Sequence, residues 1–501
     1  MKFLSHYFEK VPPEERDASA IAYFASLDHI SQNNPEVAGA IVKELKDQRA
    51  YLKLIASENY SSLATQLTMG NLLTDKYSEG YPFHRFYAGC DNVDTVEALA
   101  VEELKKLFGA EHGYVQPHSG ADANLVAFWS ILVQRVQNKE VEKLGKKSLD
   151  DLTPEEYERI RMLMLQQKMM GLALDSGGHL THGFKQNVSS KMMQVASYGV
   201  DRQTELMDYK VIETQAMREK PTILVAGYSA YPRLVNFAKM KEIAEKCGAV
   251  FLVDMAHFSG LVAGKALTGE YDPIPYADIV TSTTHKTLRG PRGGMILCKN
   301  EWKEVIDKGC PLVLGGPLPH VMAAKAVAFR EARQENFRTY AKQIIANAQA
   351  MAEQLVLRGA KLFTGGTDNH LLVMDVMTSF GLTGRQAETA MREALMTVNR
   401  NAIPNDENGA WYTSGVRIGT PALTSRGLKE KEMRQIADLM YNLLKATKAK
   451  VVEKTGIPGK AKVDLDAQVL EKTKEEVSGM LGNFPLYPEL KSLEETVKVT
   501  L

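Results

Sequence analysis

The feature that most constrains the fold is a series of short, uninterrupted apolar runs in the middle of the chain. Thr222–Ala226 (T-I-L-V-A), Ala249–Val253 (A-V-F-L-V), Asp278–Thr281 and Gly294–Cys298 (G-M-I-L-C) are each too short for a helix. Between the first two, Asn236–Lys246 repeats its apolar residues at helical spacing. A strand that is apolar at every position is buried on both faces, and helices between such strands make them parallel. The expected fold class is α/β, a mostly parallel sheet in a large domain. In such sheets ligands sit beyond the carboxyl ends of the strands. Ser229, Asp254, His257, His285 and Lys286 fall there.

Composition narrows the class of function. At one domain per ~150 residues, 501 residues make two large domains or three smaller ones. Lys+Arg and Asp+Glu both number 61, so no broad basic surface for nucleic acid is implied. No apolar run approaches the ~20 residues of a membrane span, and the first ten residues lack the apolar core of a signal peptide. The four cysteines show no C-x-x-C spacing, which argues against a structural zinc site or a disulfide framework and favours a reducing cytosol. A small molecule or a second copy of the chain is the expected partner.

After about Phe337 the pattern changes. A helix over Tyr340–Arg358 leads to a strand at His370–Val376, then helices and strands alternate to about Ala446, as in a smaller α+β domain. The last fifty residues alternate Lys and Glu and read as solvated helix. Between Ser119 and His179 lies a long segment with a helix start at Thr153-Pro154-Glu155-Glu156: Thr as N-cap, Pro at N1, Glu at N3. Tyr157, Ile160 and Met164 then share a face, and Met162, Met169 and Met170 crowd nearby. That face either packs on the core or forms an adaptable partner surface.

The candidate chemistry starts at Lys286. A lysine after a buried strand is usually a surface residue, but burial or a nearby cation lowers its pKa and makes it a nucleophile. Asp254 ends another buried strand, where a carboxylate is costly unless paired. It is either a turn-forming hydrogen-bond acceptor or the partner of a cationic ring nitrogen. A Schiff-base lysine and an aspartate on a pyridinium nitrogen are the two protein groups that pyridoxal phosphate requires. H-S-G-A-D-A-N precedes an apolar helix, so Ser119, Gly120 and Ala121 offer backbone N–H groups at a helix N-terminus, or else a plain turn. Thr283 and Thr284 are candidate additional hydroxyl donors. His179, beside Gly177 and Gly178, is a stacking candidate or a structural histidine. Arg417 is a candidate for a bidentate grip on a substrate carboxylate, or a structural ion-pair member.

Taken together, L-I-A-S-E-N-Y, E-G-Y-P-F-H-R-F-Y-A-G-C, V-Q-P-H-S-G, G-G-H-L-T-H-G, V-D-M-A-H, S-T-T-H-K-T, G-P-R-G-G and S-G-V-R-I-G-T-P-A resemble the serine hydroxymethyltransferase family, in order from about Leu54 to Leu444. The resemblance implies a fold type I pyridoxal phosphate enzyme that transfers the serine hydroxymethyl carbon to tetrahydrofolate, giving glycine and 5,10-methylenetetrahydrofolate. It implies a homodimer or a dimer of dimers with shared sites. By resemblance, Lys286 carries the Schiff base, with His285, Glu79 and Tyr87 as the other catalytic groups. Asp254 binds the pyridine nitrogen, His179 stacks on the ring, and Ser229, Ala256 and His257 line it. Ser119, Gly120 and Ala121 hold the phosphate, helped by Gly316 of the neighbouring subunit. Arg417 and Ser57 take the substrate carboxylate, Asn401 lies toward folate, and Tyr77, Glu79 and Tyr87 reach across from the other subunit. The implied division is an N-terminal arm over 1–84, a large domain over 85–337 with a helical insertion at about 133–170, and a small domain over 338–501. Phe83, His84 and Phe86 stand where the family commonly has Gly, Lys and Tyr, and S-G-A-D replaces S-G-S-Q. The alternative is a folate-independent pyridoxal phosphate enzyme, an aldolase of β-hydroxy amino acids or an alanine racemase. A ligand-sensing or nucleic-acid-binding role is the third reading.

Overall fold

The computed structural model describes residues 3–454 and 456–490. Its centre is a seven-stranded sheet built from β1 (His112–Tyr114), β2 (Lys168–Leu172), β3 (Gln194–Tyr198), β4 (Ile223–Gly227), β5 (Val250–Asp254), β6 (Ile279–Thr283) and β7 (Gly294–Cys298), in the order β1-β7-β6-β5-β4-β2-β3. The pairs β3/β2, β2/β4, β4/β5 and β5/β6 are parallel. Only β7 runs against its neighbours β6 and β1, because a turn rather than a helix joins β6 to β7. The four apolar runs are all strands of this sheet, which is mostly parallel as expected, with β7 antiparallel.

The reason for continuous apolarity is visible in the packing. Successive residues of a strand point to opposite faces. Ile223, Val225, Val250 and Leu252 enter one buried cluster with the helix Gly120–Leu132, while Leu224, Ala226, Phe251 and Val253 enter the other, with the helices Phe237–Cys247 and Pro319–Ala332. Both faces are dry, so there is no polar alternation to read.

A second buried cluster surrounds a three-stranded antiparallel sheet of β8 (Leu371–Asp375), β9 (Asn399–Asn401) and β10 (Gly415–Gly419), ordered β8-β10-β9. The helices Glu335–Leu357 and Glu430–Ala446 cover it. Leu52 and Leu54, from near the N-terminus, belong to this cluster, and Leu52–Lys53 pairs in parallel with Met396–Thr397. The N-terminal helices form their own cluster of Phe3, Tyr7, Phe24 and Leu27, closed by Leu486 and Leu490.

Two expectations are corrected. The segment 133–170 is helical only as far as Leu165; Lys168–Leu172 is an interior strand of the large sheet, with Met169 and Met170 fully buried. The helix Pro154–Leu165 does start with the Thr153–Glu156 capping box, but Ile160 is its buried residue and Tyr157 is half exposed. Second, the Lys/Glu-rich tail is not all helix. Lys448–Val452 and Ile457–Asp464 form an antiparallel hairpin, and only Ala467–Gly482 is helical; residues 491–501 lie outside the described residues.

Candidate active site

The carboxyl ends of β2, β4, β5 and β6 open on one cavity of about 570 Å³. Its lining includes Ser57, His179, Ser229, His257, His285, Lys286, Asn401 and Arg417. Eight residues named from sequence are thus brought together from positions 57 to 417. β9 and β10 of the small sheet supply Asn401 and Arg417, so the cavity lies between the two sheets.

Lys286 follows β6 and is buried; its Nζ makes no hydrogen bond or ion pair among the described residues. Burial lowers its pKa to about 8; Asp254 acts in the opposite direction, and Arg417 and Arg292 add to the lowering. A free, partly deprotonated amine at a cavity wall is a competent nucleophile.

Asp254 ends β5. Its Oδ2 accepts from Asn124 Nδ2 (2.9 Å) and from His182 Nε2 (3.1 Å), and Oδ1 accepts from the Ala256 N–H (3.0 Å). Burial works against its charge, but the His182 hydrogen bond, the two neighbouring imidazoles and Asn124 hold the carboxyl below the usual carboxylate range. Asn124 is itself fixed, donating to Thr181 Oγ1 (2.8 Å) and accepting from Thr281 Oγ1 (2.5 Å). His182 Nδ1 accepts from the His179 N–H (3.3 Å), which assigns the Nε2 proton to the bond with Asp254. The ionised carboxylate keeps an open acceptor position on Oδ1.

His179 is held by Thr181, whose N–H donates to Nδ1 (3.2 Å) and whose Oγ1 is 2.8 Å away. Burial lowers its pKa to about 4, so at neutral pH it is a flat, uncharged ring. His179, His182 and Asp254 have ligand atoms within 4.8 Å of one another, a spacing a metal ion could use. Their hydrogen bonds already occupy His182 Nε2 and Asp254 Oδ2.

Arg417, on β10, donates Nε–H to Asn399 Oδ1 (3.1 Å) and Nη1–H to the Ser229 carbonyl (2.6 Å). These bonds aim the guanidinium and leave its Nη2 hydrogens for a carboxylate. His257 lines the cavity with Lys286, its Nδ1 3.2 Å from His370 Nε2, and burial pushes its pKa well down. His285 borders the cavity with a buried Nδ1 that has no partner among the described residues.

Ser119 caps the helix Gly120–Leu132: its Oγ accepts from the Asp122 N–H (3.1 Å) and donates to Asp122 Oδ2 (2.9 Å). The first amides, of Gly120 and Ala121, have no intrahelical acceptor and point out of the helix. A Cβ on Gly120 would lie 2.6 Å from Thr283 Cγ2, so glycine lets this helix end meet the end of β6. Thr283 and Thr284 do not add hydroxyl donors as expected. Thr283 Oγ1 donates to the Ala256 carbonyl (3.2 Å) and Thr284 Oγ1 to the Pro291 carbonyl (2.5 Å), because both side chains tie the strand end to its own turns.

Of the other named residues, Ser119, Gly120, Ala121, Asp254 and Ala256 are not part of the cavity lining. Nor are Tyr77, Glu79, Tyr87 and Gly316. They gather at the surface, where the Tyr77 hydroxyl is 3.3 Å from Glu79 Oε1, the Tyr77 and Tyr87 rings are 4.9 Å apart, and a Cβ on Gly316 would sit 3.3 Å from the Tyr77 ring.

Sequence reasoning missed Asn124, Thr181, His182, His370 and Asn399. The first three lie inside H-S-G-A-D-A-N and G-G-H-L-T-H-G and were legible as polar residues next to named ones. His370 and Asn399 are brought in by the small sheet and carry no local signal.

A deprotonatable lysine, an ionised aspartate with an open oxygen, a neutral imidazole face and a helix N-terminus fit pyridoxal phosphate in its ring and phosphate requirements. With a mainly parallel seven-stranded sheet, they define a fold type I pyridoxal phosphate-dependent enzyme. The family model for serine hydroxymethyltransferase matches residues 30–141 and 157–440. Proteins named serine hydroxymethyltransferase from Treponema pallidum and Cutibacterium acnes are each 56% identical, over 97% and 96% of this chain and 84% and 98% of their own lengths. One from Salinispora tropica is 56% identical over 95% of this chain and 99% of its own. The chain belongs to the serine hydroxymethyltransferase family.

Proposed function

We propose that this chain transfers the hydroxymethyl carbon of serine reversibly to tetrahydrofolate, giving glycine and 5,10-methylenetetrahydrofolate, with pyridoxal phosphate held on Lys286. The observation that carries this reading is the meeting of Lys286, His179 and Arg417 at one cavity, with Asp254 tied to His179 through His182. Bound pyridoxal phosphate supplies an electron sink for the substrate's Cα.

The chain's own groups divide the remaining work. The Lys286 amine would hold the cofactor through its carbonyl carbon. Asp254 keeps a proton on the ring nitrogen, and His179 packs on the ring. Ser229, Ala256 and His257 line its edge, while Ser119, Gly120 and Ala121 hold its phosphate. Arg417, with Ser57, grips the amino-acid carboxylate, and Asn401 lies on the folate side with Asn399 steadying Arg417. His285 borders the Lys286 amine. Glu79 moves the proton at the serine hydroxymethyl oxygen, beside Tyr87 and Tyr77.

For Glu79 to do so the enzyme is a homodimer in which each subunit completes the other's site, with Gly316 also contributed across the interface. The surface supports this: Leu72, Tyr77, Phe83, Phe86 and Tyr87 are all exposed apolar residues of one segment. The proposed units are an arm over 1–84, a large domain over 85–337 and a small domain over 338–501. The four free cysteines accord with a cytosolic location.

The test is the visible spectrum of the purified holoenzyme with glycine, then with tetrahydrofolate. A strong long-wavelength band that needs both ligands supports the transferase reading. A spectrum that responds to glycine and ignores folate overturns it in favour of folate-independent aldol cleavage or racemisation.

A further inference from the structure

Lys325 is 1% exposed, in the middle of the helix Pro319–Ala332, and no carboxylate pairs with its Nζ among the described residues. All three ammonium hydrogens are used on carbonyls: Val115 (2.5 Å), Pro117 (3.0 Å) and Gly294 (2.8 Å). Burial lowers its pKa to about 7, and Glu97, which acts in the opposite direction, is not hydrogen-bonded to it. Nor does the backbone depend on it throughout, since the Pro117 carbonyl also accepts from the Gly294 N–H (2.8 Å). Packing of the helix alone does not account for this lysine, which carries its amine to three carbonyls.

Its partners say what does. Val115 and Pro117 lie between the end of β1 and Ser119, and Gly294 opens β7. Lys325 therefore clamps the segment that leads into the Gly120 and Ala121 amides. The clamp is tight. A Cβ on Gly294 would fall 2.1 Å from the Ser119 carbonyl oxygen, and one on Gly293 would fall 2.6 Å from Lys325 Cε and 3.0 Å from Nζ. With every hydrogen committed to a carbonyl, the ammonium has none left for a ligand, and at neutral pH it carries its charge only in part.

We propose that Lys325 is a positioning residue for the cofactor's phosphate: it sets the Val115–Ser119 segment so that the Gly120 and Ala121 amides converge, and it brings a buried amine to the segment that carries them. A bound phosphate then favours the charged form of Lys325, and by linkage that form favours phosphate. This rests on the reading that Ser119, Gly120 and Ala121 hold the phosphate.

The experiment compares the affinity of the full-length apoenzyme for pyridoxal phosphate and for pyridoxal, which lacks the phosphate, by fluorescence titration, with inorganic phosphate as competitor. Lys325→Met removes the charge. Gly293→Ala keeps the lysine but crowds its ammonium, and serves if the first variant fails to fold, as read by circular dichroism. The expected result is an affinity loss for pyridoxal phosphate of about 10- to 100-fold with pyridoxal affinity nearly unchanged, and loss of competition by inorganic phosphate. Equal losses for both ligands, or none, overturn the proposal and leave Lys325 a structural residue. If the unaltered enzyme itself binds both ligands alike and ignores inorganic phosphate, the phosphate-site reading fails instead.

Discussion

Lys286 illustrates how a residue acquires its chemistry from its surroundings. With a pKa of about 8, roughly a tenth of its amine is unprotonated at pH 7, about 300-fold more than for an ordinary lysine. The same shift is a stability penalty. A lysine whose folded pKa lies below its unfolded value opposes folding while both states are protonated, and the opposition fades as pH rises from the folded to the unfolded value. The apoenzyme variant Lys286→Met should therefore be more stable than the parent at pH 7, by up to about 3 kcal/mol. That gain should shrink between pH 8 and 10.5. Urea unfolding across this range measures it, and a pH-independent difference would refute the assignment. Arg417 differs in kind, because Asn399 and the Ser229 carbonyl fix its plane. Arg417→Lys retains charge but loses the fork, and should raise the KM for serine by about 10- to 100-fold with a smaller effect on kcat. Steady-state kinetics separates the two constants. At this scale Lys286, Asp254, His179 and Arg417 were legible in sequence because rare residue types stood in distinctive strings. His370 was not, since it reaches His257 from a different sheet.

Elements explain which strands could be read. β4 to β7 announce themselves because both faces of each are apolar. β2 hides, because K-M-M-G-L follows a helix and its methionines suit either structure. Strand ends also decide how accurately the site is built. Gly227 closes β4 at φ +123°, and a Cβ there would meet the Asp254 carbonyl oxygen at 2.1 Å. Gly227→Ala should thus part β4 from β5 just where Asp254 leaves the sheet. We expect about 2–4 kcal/mol of lost stability and weaker retention of pyridoxal phosphate on dialysis. Unchanged unfolding would show that the strand end yields at no cost. The terminal hairpin was missed for a related reason: both of its strands are solvated, so charge alternation there carries no burial signal.

At the scale of the whole molecule, the residues in question are those the chain does not bring to its own cavity. Tyr77, Glu79 and Tyr87 are grouped at the surface near Gly316. If each subunit completes its partner's site, Lys286→Ala and Glu79→Gln are defects in different places. Mixing the two inactive proteins and allowing subunits to exchange should restore activity, up to a quarter of the wild-type sites when heterodimers form at random. Activity that stays at the sum of the parents would place Glu79 in the same site as Lys286 of its own chain. By itself the sequence determined the α/β class, the large sheet's central strands and eight of the residues that line the cavity. These depend on burial periodicity and on motifs, which are local properties of the chain. Only the tertiary structure decided that β2 is an interior strand, that β7 runs antiparallel, that His182 and Asn124 hold Asp254, and that Lys325 bonds the Val115, Pro117 and Gly294 carbonyls. Those outcomes depend on contacts between residues far apart in the chain, and a local pattern carries no record of them.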